Sequence, residues 1–506
     1  MYKFTALLIF CCLCCMSATT NAQEKEEARA GRVVFEPYVF KSFDGKEVPA
    51  ELGRLWVREN REAASARLVQ LAFVRLKSTS ALPAAPVVWL AGGPGVPGIV
   101  MARVPVYFRF FERLREVADV ILLDQRGTGM SSPSLECPKV SPPADVFEND
   151  DKWLRAYTTL TRACAEHWRA RGVELAAYNT DASADDLDDL RRALGAERIS
   201  LVGHSYGTVL AQAALRRHSP HLQRVVMANT DGTDNLLALP SVWDLLIKKL
   251  SYLAARDAAV NKIIPDAEAL YRRVLDKLSR TPVSLTVTDA RSKSSVNLRV
   301  GKIGLQWLVR IAMNDARTYP ALPALFHTID QGDYTLLARR VESLYNDFGG
   351  RSPMATASDC STGWSAERFA QAQKEAAAGA LFSNVNLQWT SGICASVAAT
   401  ATKSATKNTG VPPPARLWST VPALFVSGTL DTNTPPFQAE EVRWGLPNSA
   451  HLVVENGGHE TLPSEEVQRV VVDFLKGLDV RGRVVAFEPP RFLSVEEAKA
   501  QTTQRR

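Results

Sequence analysis

The chain has 506 residues, 46% of them apolar and 23% charged, a globular composition with core enough for two or three domains. Its 60 basic and 54 acidic residues are spread along the sequence and leave a formal charge of +6. There is no long basic run with interleaved aromatics, which argues against nucleic-acid binding, and beyond residue 22 no Cys-x-x-Cys or paired-histidine spacing that would hold a metal.

Met1-Tyr2-Lys3 supplies one positive charge, Phe4 to Met16 is apolar apart from Thr5, and Ser17 to Ala22 is small and polar. A charged start, an apolar stretch of about 7–15 residues and a small-residue end are the marks of a secretory signal. The signal is expected over 1–22, with cleavage after Ala22. A bilayer span needs about 20 apolar residues, so no stable membrane span is expected once the signal is gone. A lipoprotein signal is the less favoured alternative, because no cysteine follows the usual spacer. The expected location is therefore outside the cytoplasm, in a periplasm or secreted. Cys11, Cys12, Cys14 and Cys15 lie in the signal, which leaves Cys137, Cys164, Cys360 and Cys394. An even set in an exported chain favours disulfides over buried free thiols. Three connectivities are open, and the local pairs Cys137–Cys164 and Cys360–Cys394 are the simplest.

From Val33 to Lys77, short runs of β-formers separated by turn residues such as Asp44-Gly45 predict antiparallel strands that open a sheet. Val87 to Leu90 and Val117 to Leu123 are continuous apolar runs, the pattern of parallel strands buried on both faces. Asp181 to Leu194 reads as an acidic amphipathic helix stopped by Gly195. Ile199 to Val202, a helix from Thr208 to Arg217 and Val225 to Met227 then continue a βαβ series. Such alternation predicts an α/β fold with a mostly parallel, doubly wound sheet. From about Asp234 to Trp418 the periodicity turns helical, interrupted by a hairpin near 284–300. Thr400 to Pro414 reads as a linker. Parallel-strand runs return at Ala423 to Ser427 and His451 to Val454, followed by a helix from Ser464 to Leu475. The expected division is core over 30–233, mainly helical cap over 234–415, core again over 416–480, and a polar tail over 481–506.

The chemistry centres on Gly203-His204-Ser205-Tyr206-Gly207, placed between a strand and a helix. Gly-x-Ser-x-Gly in that setting is a nucleophile elbow, which presents a serine hydroxyl above the sheet. The hydroxyl needs a base, and the base needs an orienting acid. These should follow in the order Ser, Asp or Glu, His, at the ends of later strands. Asp431 follows the strand at 423–427, and His459, in Gly457-Gly458-His459, follows the strand at 451–454. Of the seven histidines, His459 alone has that order and position. The oxyanion of the transition state is assigned to two N–H groups: Tyr206, directly after the serine, and Gly93 in the Gly92-Gly93-Pro94-Gly95 loop after an early strand.

With these residues in place, the chain resembles the α/β-hydrolases of the proline iminopeptidase and tripeptidyl aminopeptidase family. The resemblance rests on Gly92-Gly93-Pro94-Gly95, on Asp124-Gln125-Arg126-Gly127-Thr128-Gly129-Met130-Ser131, on Gly428 to Pro435 and on Gly458-His459. It implies an α/β-hydrolase fold with a large helical cap, and a serine hydrolase acting through an acyl-enzyme without a cofactor. The implied activity is release of proline or short peptides from peptide N-termini. An ester hydrolase or lactonase of the same fold is the alternative, and a non-catalytic binding protein with a relic triad is less favoured. The substrate partner would be a peptide or a small acyl compound. Two positions depart from the family pattern: Ala91 stands where its loop begins with histidine, and His204 where its elbow commonly has glycine. Asp124 and Arg126 could form an ion pair that braces their loop. Recognition of a free α-ammonium calls for carboxylates facing Ser205; Asp231, Asp234, Glu342, Asp347 and Asp359 are possible, and spacing places none of them.

Overall fold

The computed structural model describes residues 29–503, without 64–66, 315–316, 380, 385, 388–391 and 399–413. The expected signal at 1–22 and nearly all of the expected linker at 400–414 lie outside the described residues.

The main sheet has ten strands: β1 (Val33–Lys41), β2 (Glu47–Arg58), β3 (Leu68–Leu76), β4 (Val87–Leu90), β5 (Val120–Asp124), β6 (Ile199–His204), β7 (Leu222–Ala228), and, beyond a separate hairpin β8 (Val283–Thr288) and β9 (Ser295–Val300), the strands β10 (Ala423–Gly428), β11 (Ser449–Glu455) and β12 (Val485–Ala486). Their order is β1-β2-β3-β5-β4-β6-β7-β10-β11-β12. The first three pair antiparallel, and β5 through β12 run parallel. Side chains alternate across the sheet: Val88, Leu90, Ile199 and Leu201 enter the core on one face, and Val87, Trp89 and Val202 enter the core on the other. Helices cover both faces, which is why these strands read as unbroken apolar runs.

Three boundaries differ from the expectation. The strand read from Val117 begins only at Val120, because the N–H groups of Val117 and Ala118 close a turn onto Leu114 O at the end of the preceding helix. Between β7 and β10 the chain is helical around the β8–β9 hairpin, and its core also takes in Phe147 and Trp153 from ahead of the elbow. Trp153 stacks on Trp307 with centroids 4.8 Å apart. The polar tail expected at 481–506 is a folded element: β12 adds to the sheet edge, and the helix Val495–Thr503 packs on the cap. Phe492 and Ala498 are its buried contacts. Apolar residues this sparse give no periodicity to read.

The four cysteines pair locally as Cys137–Cys164 and Cys360–Cys394, with Cα atoms 5.1 and 5.6 Å apart.

Candidate active site

β6 passes directly into the helix Tyr206–His218, and Ser205 occupies the turn between them with φ 53° and ψ −126°. A positive φ on a residue with a Cβ is strained and persists only where the surroundings enforce it. They do so through the two elbow glycines. A Cβ on Gly203 would lie 2.5 Å from Gly207 O, and one on Gly207 would lie 2.0 Å from Leu90 O. Strand, turn and helix therefore pack backbone to backbone, and the serine is left standing above the sheet.

The loops after β10 and β11 bring Asp431 and His459 to it. His459 Nε2 lies 3.0 Å from Ser205 Oγ, and its Nδ1 lies 3.0 and 3.1 Å from the two Asp431 oxygens. A carboxylate only accepts, so Nδ1 carries the proton of the neutral ring and Nε2 accepts from the serine hydroxyl. Asp431 also accepts from the N–H groups of Asn433 and Thr434 at 2.9 and 3.0 Å and from Asn229 Nδ2 at 2.9 Å. Burial by itself would raise the Asp431 carboxyl; the His459 charge and the bonds from His459 and Thr434 outweigh it and hold the group well below the usual carboxylate range. For the His459 ring, burial pulls downward, and Asp431 overcomes it and leaves the imidazole above its ordinary value.

Gly93 and Tyr206 line the same cavity as Ser205. Tyr206 is the first residue of its helix, where N–H groups have no intrahelical acceptor. The glycine loop is held from behind by Gln125, whose Nε2 donates to Ala91 O at 3.1 Å. Asp124 and Arg126 do not pair with each other. Asp124 accepts from the N–H groups of Ile99 and Met130 at 2.9 and 2.7 Å, while Arg126 makes a two-pronged bond to Asp186 and donates to Ala177 O. The segment thus braces two loops independently: backbone donors hold the aspartate, and Asp186 holds the guanidinium.

Ser205 opens into a cavity of about 280 Å3 between sheet and cap. Of the five carboxylates considered, Asp231 and Asp359 line it. Asp234 is bonded to Ser365, Glu342 accepts from Thr288 N–H and Asp347 accepts from Ser343, all away from the cavity. Asp231 lies just past β7, and among the described residues its carboxylate receives no side-chain hydrogen bond or ion pair. Burial pushes it up to about 7, with the Asp359 and Asp431 charges adding and His459 opposing. Asp359 is paired with Arg351, and burial still raises it to about 6.

Roles for Asn229 and Asn314 are not read from the sequence, and Gln125 enters only as part of the Asp124–Ser131 segment. Asn229 sits one residue past β7, so its strand-end position was the available signal; Asn314, whose Oδ1 accepts from Asn433 Nδ2, meets it across 119 residues and left none.

Residues 85–304 match the α/β hydrolase fold family, and residues 381–483 match the TAP-like protein family. The chain is 29% identical over 174 residues to the putative hydrolase YuaR of Escherichia coli (strain K12), covering 33% of this chain and 32% of that one. It is 32% identical over 143 residues to the tripeptidyl aminopeptidase of Streptomyces coelicolor, covering 27% of this chain and 26% of the relative. The match thus spans about a third of these curated relatives' length or less. Among solved structures, the proline iminopeptidase of Mycobacterium smegmatis superposes with a TM-score of 0.39 at 17% identity, over 84% of this chain and 98% of that one. The two family matches, which together take in β4 to β11, and the order of that sheet make this chain an α/β-hydrolase with a TAP-like C-terminal segment.

Proposed function

We propose that the chain is an exported serine aminopeptidase that releases residues from peptide N-termini through an acyl-enzyme. The observation that carries this reading is the bonded series Ser205–His459–Asp431 opening onto a cavity that also presents Asp231 and Asp359. Ser205 Oγ attacks the carbonyl carbon while His459 Nε2 takes its proton, and Asp431 holds the ring and its charge. The N–H groups of Gly93 and Tyr206 receive the oxyanion. His459 passes the proton to the departing amine, then draws one from the water that attacks the acyl carbonyl and returns it to Ser205 Oγ as the acyl group leaves. Asp231 receives the substrate ammonium, which is a cation matched to a partly desolvated carboxylate with no hydrogen-bond or ion-pair partner among the described residues. Two disulfides and the signal-like 1–22 support an oxidising compartment.

The test is a kinetic screen of peptide amides with free and blocked N-termini, beside short acyl esters and labelling by a fluorophosphonate. A strict need for the free amine is expected. Turnover of esters alone replaces the reading with an ester hydrolase or lactonase, and equal turnover of blocked amides removes the aminopeptidase reading in favour of an amidase without an N-terminal requirement. No labelling at Ser205 replaces it with a non-catalytic binding protein.

A further inference from the structure

His204 takes no part in the steps above, yet it touches two members of the bonded series, Ser205 and His459. It precedes Ser205 in the chain, it is 4% exposed, and its Nε2 lies 3.0 Å from the main-chain oxygen of His459. A carbonyl oxygen only accepts, so Nε2 carries a proton and donates it. The two imidazole rings are 5.2 Å apart. Glu460, the next residue on the base loop, lies 3.9 Å from the same Nε2 and accepts from the Tyr107 hydroxyl. His459, Asp431 and Glu460 are the charged groups that act on His204, and burial keeps its ring below the ordinary imidazole value.

The base needs this support for a local reason. His459 follows Gly457-Gly458, and two glycines in succession leave a loop with wide backbone freedom. The freedom is removed at three successive carbonyls: Leu430 N–H donates to Gly457 O at 2.7 Å, and side chains hold the next two, Asn229 Nδ2 donating to Gly458 O at 3.2 Å and His204 to His459 O. One side-chain brace comes from the end of β7 and the other from the end of β6, the strand that carries the nucleophile. We propose that His204 is a positioning residue, which fixes the height of the His459 loop over Ser205. This rests on the reading of Ser205 and His459 as nucleophile and base. It gives a use to the elbow position where the chain departs from its family pattern.

Two variants test it on the full-length protein. His204→Leu fills the space without a donor, and His204→Gln keeps an N–H donor on a flexible arm. A base displaced by a fraction of an ångström costs turnover rather than binding, so H204L is expected to lower kcat at least about tenfold with KM within about twofold. Fluorophosphonate labelling of Ser205 should slow in parallel, and H204Q should recover most of both rates although the two variants melt alike. Wild-type kcat in H204L overturns the proposal. So does an equal loss in H204L and H204Q, which marks simple packing. If H204L fails to fold, His204→Asn, whose amide is too short to reach the carbonyl, takes its place with the same two readings. Turnover surviving in Ser205→Ala would instead remove the reading of the site itself, which keeps the two failures apart.

Discussion

Asn433 Nδ2 donates to Asn314 Oδ1 at 2.6 Å, joining the loop of Asp431 to the cap. The main-chain N–H of the same Asn433 donates to Asp431. One residue therefore satisfies the acid with its backbone and holds the lid of the cavity with its side chain. Because only the side chain reaches the cap, Asn433→Ala and Asn314→Ala should behave alike: KM rises while Ser205 labelling by a small fluorophosphonate stays near wild type. The double variant should be no worse than either single one, since both remove one bond of about 1 kcal/mol. Additive losses in the cycle would show that the two side chains act separately.

Ser205→Ala removes only the hydroxyl bonded to His459. Turnover should fall by about a thousandfold or more, because the remaining groups can bind but cannot form an acyl-enzyme. The melting temperature should hardly change, because the strain of the elbow lies in the backbone and alanine has the same Cβ. Retained activity would remove Ser205 from the mechanism.

Burial lowers His459 and Asp431 more than restores it, so the ring loses its proton only above the ordinary 6.5. As the base must be neutral to accept from Ser205, kcat/KM should rise with pH on a limb centred above 6.5. Asp431→Asn removes the opposing charge; the limb should move to lower pH while kcat falls. Stability follows the same pair. The depressed Asp431 contributes fully above the ordinary carboxyl value of 3.8 and loses its contribution as pH falls below it. The raised His459 contributes fully below 6.5 and loses its contribution as pH climbs toward its folded value. Thermal melts across pH should therefore show the pair's contribution at its fullest between those two values, and D431N should flatten the curve.

Asp231 is pushed up to about 7 by burial, so it becomes an anion only as pH rises through neutrality. A peptide α-ammonium loses its own proton near pH 7.7–8, by about the usual value for that group. The two charges coexist in a narrow window, and KM for a free-amine substrate should be lowest there and rise on both sides. Asp231→Asn should raise that KM and abolish its acidic limb, while Ser205 labelling by a small fluorophosphonate stays near wild type. An unchanged KM profile in D231N would move the ammonium to Asp359.

What could be read in advance followed from short-range chemistry. Ser205, Asp431 and His459 each sit just past an apolar strand in a Gly-bearing turn, so position in the chain implied position at the sheet's edge. The parallel strands were legible because burial on both faces leaves no polar alternation. Asp231 and Asp359 were visible only as two acids among several, since nothing local says that one lacks a partner and the other faces Arg351. The ion pair that Asp124 and Arg126 could form is absent for a similar reason: Asp186, far along the chain, holds the guanidinium. Long-range partners leave no periodic signal.

The C-terminal segment is the clearest case of that kind, and it yields a separable effect. Phe492 is 4% exposed within the cap core, Leu493 N–H donates to Pro320 O at 3.1 Å, and Lys499 pairs with Asp333 at 2.7 Å. The Lys499 pair is half exposed and contributes little, whereas emptying a buried phenylalanine site costs about 3–5 kcal/mol. Phe492→Ala should therefore lower cap stability far more than Lys499→Ala. The bonds among Ser205, His459 and Asp431 are built on core loops, so fluorophosphonate labelling in F492A should remain close to wild type at temperatures where the protein is folded. KM for peptides should rise, because the cavity wall that carries Trp243 belongs to the same loosened cap core as Phe492. Hydrogen exchange would locate the loss: faster exchange in the helices Leu322–Asp330 and Thr335–Asp347, against which the C-terminal helix packs, with β6 and β10 unchanged. Uniform acceleration across the sheet would mean that cap and core unfold as one unit.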